Sequence, residues 1–256
     1  MNICVTGGAG FIGSHLVDRL IELGHDVLVI DNLSTGMRSF VHEDAQFIEM
    51  DVRDPKLLSV FEEFKPSIVF HEAAQTMVQS SMENPSYDCD VNLIGLINVL
   101  DACRKVKVEQ FLMPSSAAVY GDLAVLPLTE DLSGMPSSFY GLTKLTAEGY
   151  LRIYHEAFGL NTVCFRYANV YGPRQGDGGE GGVISIFNRL IVEGQPLTVF
   201  GDGEQTRDFI YVDDVVDANI KAMGNGQCTG IYNISTNKGT SVNELITRFR
   251  TISGTD

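Results

Sequence analysis

Three glycines spaced three residues apart decide what the start of this chain can fold into. In Gly7-Gly8-Ala9-Gly10-Phe11-Ile12-Gly13, Gly7, Gly10 and Gly13 fall between a short β-branched run, Ile3–Thr6, and an amphipathic stretch, Phe11–Leu23. A strand that turns at once into a helix needs backbone freedom at the turn. Glycines there also let the backbone approach a diphosphate and the helix pack close to the strand. The N–H groups of the first helical turn, at Phe11, Ile12 and Gly13, have no partner within the helix and favour an anion. An acid ends the next β-branched run: Asp31, in Ile30-Asp31-Asn32-Leu33-Ser34-Thr35-Gly36. A carboxylate there accepts hydrogen bonds from ribose hydroxyls and repels a 2′-phosphate, so the pattern reads as a dinucleotide site favouring NAD over NADP. Arg38 is the nearby cation through which a 2′-phosphate could still be taken.

Short apolar runs and longer amphipathic segments go on alternating. Strands are expected at Asp26–Ile30, Gln46–Met50, Ser67–Phe70, Gln110–Met113, Thr162–Arg166 and Gly230–Ile234. Helices are expected at Asp54–Phe64, Val91–Val106, Gly141–Phe158, Val183–Glu193, Val212–Met223 and Val242–Ile252. The pattern predicts an α/β chain with a doubly wound parallel (Rossmann) sheet. After Gly172 the sequence turns glycine-rich and polar through Gly182, as in a surface loop near a ligand. That change divides the chain into an NAD-binding domain, 1–171, and a smaller substrate-binding lobe, 172–256, from which elements near 208–235 return to the first domain. The lobe reads as incomplete at its C-terminal end, because the helix at Val242–Ile252 has no closing element after it.

Eighteen basic against 33 acidic residues give a net charge of −15, which argues against nucleic acid and anionic membrane as partners. An anionic substrate must then be gripped by a few local cations and backbone N–H groups. Cys4, Cys89, Cys103, Cys164 and Cys228 lack CxxC spacing, and most sit in apolar runs, as reduced core thiols do. The five histidines show no pairing at metal-ligand spacing, so no metal site is expected. The N-terminus opens directly on a strand-like run without a leader pattern, and a cytoplasmic enzyme is the resulting expectation.

Tyr140 and Lys144 stand four residues apart at the start of an expected helix, on one face. A phenol with a pKa of about 10 is a poor base at neutral pH, but an ammonium and a positively charged nicotinamide beside it would stabilise the phenolate. The pair alone is a weak signal among nine tyrosines. It gains from Ser115-Ser116-Ala117-Ala118-Val119-Tyr120-Gly121, at an expected strand end, where a sheet presents residues to its crevice. Ser116 is placed to hydrogen-bond a reacting hydroxyl, and Ser115 to close the turn.

Taken in order, TGGAGFIG, DNLSTG, HEAA, SSAAVYG, YGLTK, FRYANVYGPRQ and FGDGEQTRDFIYVDDV resemble the extended short-chain dehydrogenase/reductase family, among its NAD-dependent epimerase/dehydratases. The likeness runs from Met1 to about Glu244 and is greatest to the UDP-glucose 4-epimerase branch. It implies roles by position. Asn32, Ser34, Gly36, Asp51 and Val52 would serve the adenosine end of NAD, Ala73, Ala74, Gln75 and Asn92 would line the dinucleotide, and Tyr167 would lie near the nicotinamide. Asn169 and Arg207 would hold the diphosphate of a UDP-sugar, with Val183, Asn188, Leu197, Val199 and Phe200 in its nucleotide pocket. Ser116, Tyr140 and Lys144 would be catalytic, and a homodimer would form through the helices at Val91–Lys105 and Gly141–Phe158. Related dehydratases and decarboxylases carry an acid where this chain has Ala117-Ala118, which favours plain C4 epimerisation. The alternatives are another NAD-dependent nucleotide-sugar conversion and a non-catalytic NAD-binding protein. The family's phosphate-clamping segment and sugar-gating residue are absent from this sequence, which leaves the preference for plain or N-acetylated sugars open.

Overall fold

Residues 1–123, 125–176 and 182–254 are described in a computed structural model. Among them the strands are β1 (Asn2–Thr6), β2 (Asp26–Asp31), β3 (Gln46–Glu49), β4 (Ile68–His71), β5 (Gln110–Ser116), β6 (Asn161–Tyr167), β7 (Asn169–Tyr171), β8 (Thr206–Tyr211), β9 (Gly230–Ile234) and β10 (Gly239–Ser241). The helices are α1 (Phe11–Glu22), α2 (Leu57–Phe64), α3 (Val78–Glu83), α4 (Pro85–Cys89), α5 (Leu96–Val106), α6 (Phe139–Phe158), α7 (Val183–Val192), α8 (Val212–Ala222) and α9 (Val242–Ser253).

The near-continuous apolar runs of the central strands reflect burial on both faces. In β1, Ile3 and Val5 point into one core and Cys4 into the other, the two-residue alternation of a strand. The first core holds Leu16, Val17 and Leu20 of α1 with Val215 and Val216 of α8. Leu57 and Phe61 of α2, Leu96 and Leu100 of α5, and Ala147 and Leu151 of α6 fill the second. The seven-stranded sheet runs β3-β2-β1-β4-β5-β6-β9, with every pairing parallel. Its order reverses where β1 pairs with both β2 and β4, and the crevice beyond those strand ends is where such sheets bind ligands.

The residues from Asn169 onward divide between two places. β9 completes the large sheet beside β6, and α8 packs in the first core, whereas β7, β8 and β10 form a separate three-stranded sheet. Residues 177–181 of the glycine-rich loop lie outside the described residues. The helix expected over Val91–Val106 is a π-helical segment, Asp90–Gly95, followed by α5, and α4 leads into it from before the expected start. Such a segment re-aims side chains within a helix, and here it accompanies an inward-pointing Asn92. Cys4, Cys103 and Cys164 are buried, but Cys89 at the end of α4 is exposed, contrary to a core role for it.

Below the crevice, α6 is tied to the sheet by a buried ion pair. Arg166 of β6 donates to both carboxylate oxygens of Glu148, from Nε at 2.9 Å and from a terminal nitrogen at 2.8 Å, with both side chains at most 5% exposed. Ser115 donates to the same carboxylate at 2.6 Å, and Arg166 also donates to the Tyr120 hydroxyl at 2.8 Å. Glu148→Ala strands a buried guanidinium, so a loss of about 3–5 kcal/mol is expected in chemical denaturation.

Candidate active site

The glycine loop is shaped by contacts that leave no room for side chains. Gly7 has φ +74°, and a Cβ there would fall 2.4 Å from the Ala73 nitrogen. On Gly13 it would fall 2.2 Å from the Gly7 carbonyl oxygen. The loop after β1, the start of α1 and the loop after β4 therefore touch backbone to backbone. Gly10 is the N-cap of α1, and no side chain caps that terminus. The first-turn N–H groups thus face a cavity of about 910 Å³, walled by Gly7, Gly10, Phe11, Ile12 and Gly13. A cradle that any Cβ would fill, ending in an uncapped helix, fits a dinucleotide diphosphate.

Asp31, only 7% exposed, accepts from the Ala9 N–H at 3.0 Å and the Leu33 N–H at 2.8 Å. Its carboxylate therefore shapes the loop as well as facing the cavity, each oxygen keeping capacity for a ribose hydroxyl. Asn32, Ser34, Gly36, Asp51 and Val52 continue that wall. Asp51 is held well below the usual carboxylate range by hydrogen bonds from Arg53, burial opposing them, with a further bond from Asn32. Arg38 lies over the Phe47 ring, 4.5 Å from its centre, and not on the cavity wall. Asp31→Ala is expected to weaken NAD about ten- to a hundredfold in calorimetry, the worth of a hydrogen bond to a charged group, and NADP much less.

Ala73, Ala74 and Gln75 line the middle of the cavity. Asn92 stands behind them, because its amide is already occupied: Oδ1 accepts from the Gln75 N–H at 2.9 Å, and Nδ2 donates to the Gln75 carbonyl at 3.0 Å and to Asp88 at 3.1 Å. It fixes the loop after β4 and offers the cavity no free group. Asp88, fully buried, also accepts from Thr143 at 2.8 Å and Gln75 at 2.7 Å. This polar brace beneath the start of α6 has no obvious sequence signal, since its members are distant in the chain.

At the other end, Ser116, Tyr140, Lys144 and Tyr167 share the wall. Ser138 caps α6 by accepting from Gly141 at 3.1 Å, so the helix starts early enough to hold Tyr140 in its first turn. Lys144 is 5% exposed, donates to the Pro114 carbonyl at 3.0 Å, and lies 5.9 Å from the centre of the Tyr140 ring. Burial pulls its pKa down, while the charges of Glu72 and Asp88 push it up. Tyr140 stands above its ordinary pKa, raised by burial and by Asp88, with the Ser116 hydroxyl pulling the other way. The activation expected from Lys144 and a positively charged nicotinamide together therefore needs the nicotinamide's charge as well as the lysine's. Ser116, not Ser115, closes the turn, its Oγ accepting from Ala118 N–H at 3.1 Å. Tyr167 is buried, and its hydroxyl accepts from Asn219 at 2.6 Å.

Asn169, Val183, Phe200 and Arg207 reach the cavity from the three-stranded sheet and its surroundings. Arg207 is exposed, donates to the Thr206 carbonyl at 2.8 Å, and forms no ion pair with a described residue. Asn188, Leu197 and Val199 are not on the wall; Thr198 is, beside Phe200. The segment thus presents alternate residues, and the expectation chose the wrong phase at 197 and 199. Ala117 and Ala118 form a tight turn next to the site, where a Cβ on Gly141 would lie 2.6 Å from the Ala118 carbonyl oxygen. Sequence reading passed over Glu72, Thr76, Ser80, Gln205 and Thr240, which also line the cavity.

The profile of the NAD dependent epimerase/dehydratase family matches residues 3–235. The chain belongs to that family. Within the family it is 40% identical, over 96% of its length and 81% of the relative's, to a UDP-glucose 4-epimerase of Mycolicibacterium smegmatis. The crystal structure of a Thermotoga maritima UDP-glucose 4-epimerase with UDP-glucose superposes with a TM-score of 0.96 at 43% identity, covering 100% of this chain and 84% of that one. A Thermus thermophilus UDP-glucose 4-epimerase in complex with NAD gives 0.94 at 39%, with 100% and 84% covered.

Proposed function

We propose that this chain interconverts UDP-hexoses by epimerisation at C4, with NAD as resident hydride carrier. The observation that carries this reading is one cavity shared by the glycine cradle, the Ser116, Tyr140 and Lys144 trio, and Arg207. The family and its UDP-glucose 4-epimerase members support it.

NAD, when bound along Gly7–Gly13 and Asp31, supplies a hydride acceptor that later returns the hydride. Tyr140, as phenolate, removes the proton from the C4 hydroxyl as the C4 hydride leaves, and Ser116 hydrogen-bonds the same oxygen. The 4-keto sugar then presents its opposite face, and Tyr140 returns the proton to the oxygen as hydride is regained. Lys144 stabilises the phenolate by its positive charge. Arg207 and Asn169 hold the diphosphate throughout, so binding energy from the unreacting nucleotide keeps the intermediate while the hexose turns over. The exposed Phe200 ring at the rim supplies a face for the base. Ala117 and Ala118 bring no carboxylate to the place where related dehydratases carry one, which favours plain epimerisation.

The test is incubation of the purified protein with UDP-galactose, without added cofactor, followed by NMR. UDP-glucose should accumulate to equilibrium. If neither UDP-galactose nor UDP-N-acetylgalactosamine reacts, even with NAD supplied, the reading is wrong.

Residues 1–171 act as the cofactor-binding part and residues 172–256 as the substrate lobe, where β8 and β10 build on β7 at the end of the first part. Two copies pair through α5 and α6, where Leu142, Ile153, Phe158 and, just before α5, Ile94 are 49–52% exposed. Five free cysteines suit the cytoplasm, and no described helix is long and apolar enough to cross a membrane.

A further inference from the structure

Tyr87 of α4 takes no part in the mechanism above, yet it stands on the cavity wall. Contacts place it at the adenosine end. The Arg53 guanidinium lies over its ring, 5.7 Å from the centre. That guanidinium donates to Asp51 from Nε at 2.8 Å and from a terminal nitrogen at 2.7 Å, and Asp51 accepts in turn from Asn32 at 2.8 Å. Arg53 also donates to Asp90, three residues beyond Tyr87, which fixes it against the segment that carries the ring. Asn84 caps α4 by accepting from the Tyr87 N–H at 3.1 Å, with Pro85 in the first turn. Val91, one turn on, reaches the same wall, which continues through Ile30, Met50 and Val52.

The ring is thus anchored through its backbone and backed by a cation whose own place is set by two carboxylates. It is nonetheless 42% exposed, and its hydroxyl bonds to no described residue. A tyrosine serving the core buries its ring and pairs its hydroxyl. An aromatic face left open on a ligand cavity, beside apolar side chains, fits a flat heterocycle instead. Purines stack on such faces for about ten- to a hundredfold in affinity per base.

We propose that Tyr87 is a stacking partner for the adenine of NAD, and that this stack governs how long the cofactor is retained. This inference rests on the NAD-binding reading. The adenine takes no part in hydride transfer, so a contact there holds ground state and transition state equally. It serves retention and not rate, which suits a cofactor that is reduced and reoxidised within one turnover and need not leave.

The experiment loads the whole protein with NAD labelled in its adenine, dilutes it into excess unlabelled NAD, and follows the label retained with time. Tyr87→Phe, which keeps the aromatic face, should release label at the wild-type rate. Tyr87→Ala should release it about tenfold faster. Tyr87→Leu keeps apolar bulk without a π face and should also release it faster than wild type. The chain has no tryptophan, so tyrosine emission is a second readout. Release of NAD should raise it more in wild type than in Tyr87→Phe, because adenine stacked on Tyr87 quenches that ring. Wild-type retention in the Ala or the Leu variant overturns the proposal, as does release from the Phe variant as fast as from the Ala variant. Equal rises in emission overturn it too, since they leave the ring only a prop for Arg53. Should the Ala variant not fold, the Leu and Phe variants decide. A wild type that takes up no label refutes the reading beneath the proposal instead.

Discussion

Tyr140→Phe is expected to fold as the wild type does, retain its cofactor, and lose about a thousandfold in kcat with little change in KM. The phenyl ring keeps the half-buried volume at the start of α6. Only the hydroxyl goes, and with it general base catalysis, worth about 10²–10⁴ in rate. Burial raises the free phenol's pKa, so activation depends on positive charge gathered beside it, from Lys144 and from the bound nicotinamide. The sign of the pH dependence follows. The phenolate is the active form, so wild-type kcat/KM should rise with pH through the tyrosine's ionisation, and the residual activity of the variant should lack that limb. An unchanged kcat would remove Tyr140 from the chemistry.

Gly13→Ala should damage both stability and cofactor retention. Its new methyl would lie 2.2 Å from the Gly7 carbonyl oxygen, 2.9 Å from the Gly7 carbonyl carbon and 3.0 Å from the Gly8 Cα. All three are backbone atoms of the turn, with no flexible side chain to yield. α1 must therefore move off β1, and the uncapped helix terminus with it. A loss of about 3 kcal/mol is expected in denaturant titration, at the upper end of overpacking costs, together with protein purified free of NAD. Gly149→Ala provides the contrast within α6. Nothing lies within 4 Å of a Cβ there, and the residue is interior to a helix. That variant should gain about 0.5–1 kcal/mol. Similar stability changes in the two variants would mean that close backbone packing does not shape the loop.

Features governed by local rules were legible in the sequence. β-branched runs bounded by turns located the strands of the large sheet to within a few residues, helped in β1, β2, β4, β5 and β6 by burial on both faces, which makes those central strands largely apolar. The glycine loop was legible for a similar reason, since only residues without Cβ atoms fit so tight a turn. Long-range side-chain choices were not. Asn92 was expected on the cavity wall, but its amide pairs with Gln75 and Asp88, partners that no spacing rule connects. Ser115 and Ser116 exchanged the expected turn-closing role, because Glu148, 33 residues away, captures the Ser115 hydroxyl. β7, β8 and β10 went unpredicted; two of them have only three residues each, too few to show a period. Thr198 was missed because Leu197 and Val199 were carried over from the family resemblance by position, and a resemblance does not fix which face of an irregular segment meets the cavity.

The most direct test of the central claim follows the C4 hydrogen itself. UDP-glucose deuterated at C4 is turned over to equilibrium in ordinary water, and the UDP-galactose formed is examined by NMR and mass spectrometry. Removal and return of a hydride within one site predicts that the deuterium stays at C4 of the product. Deuterium lost to solvent at the rate of epimerisation would contradict the account, because it requires a proton transfer at carbon in place of the hydride step.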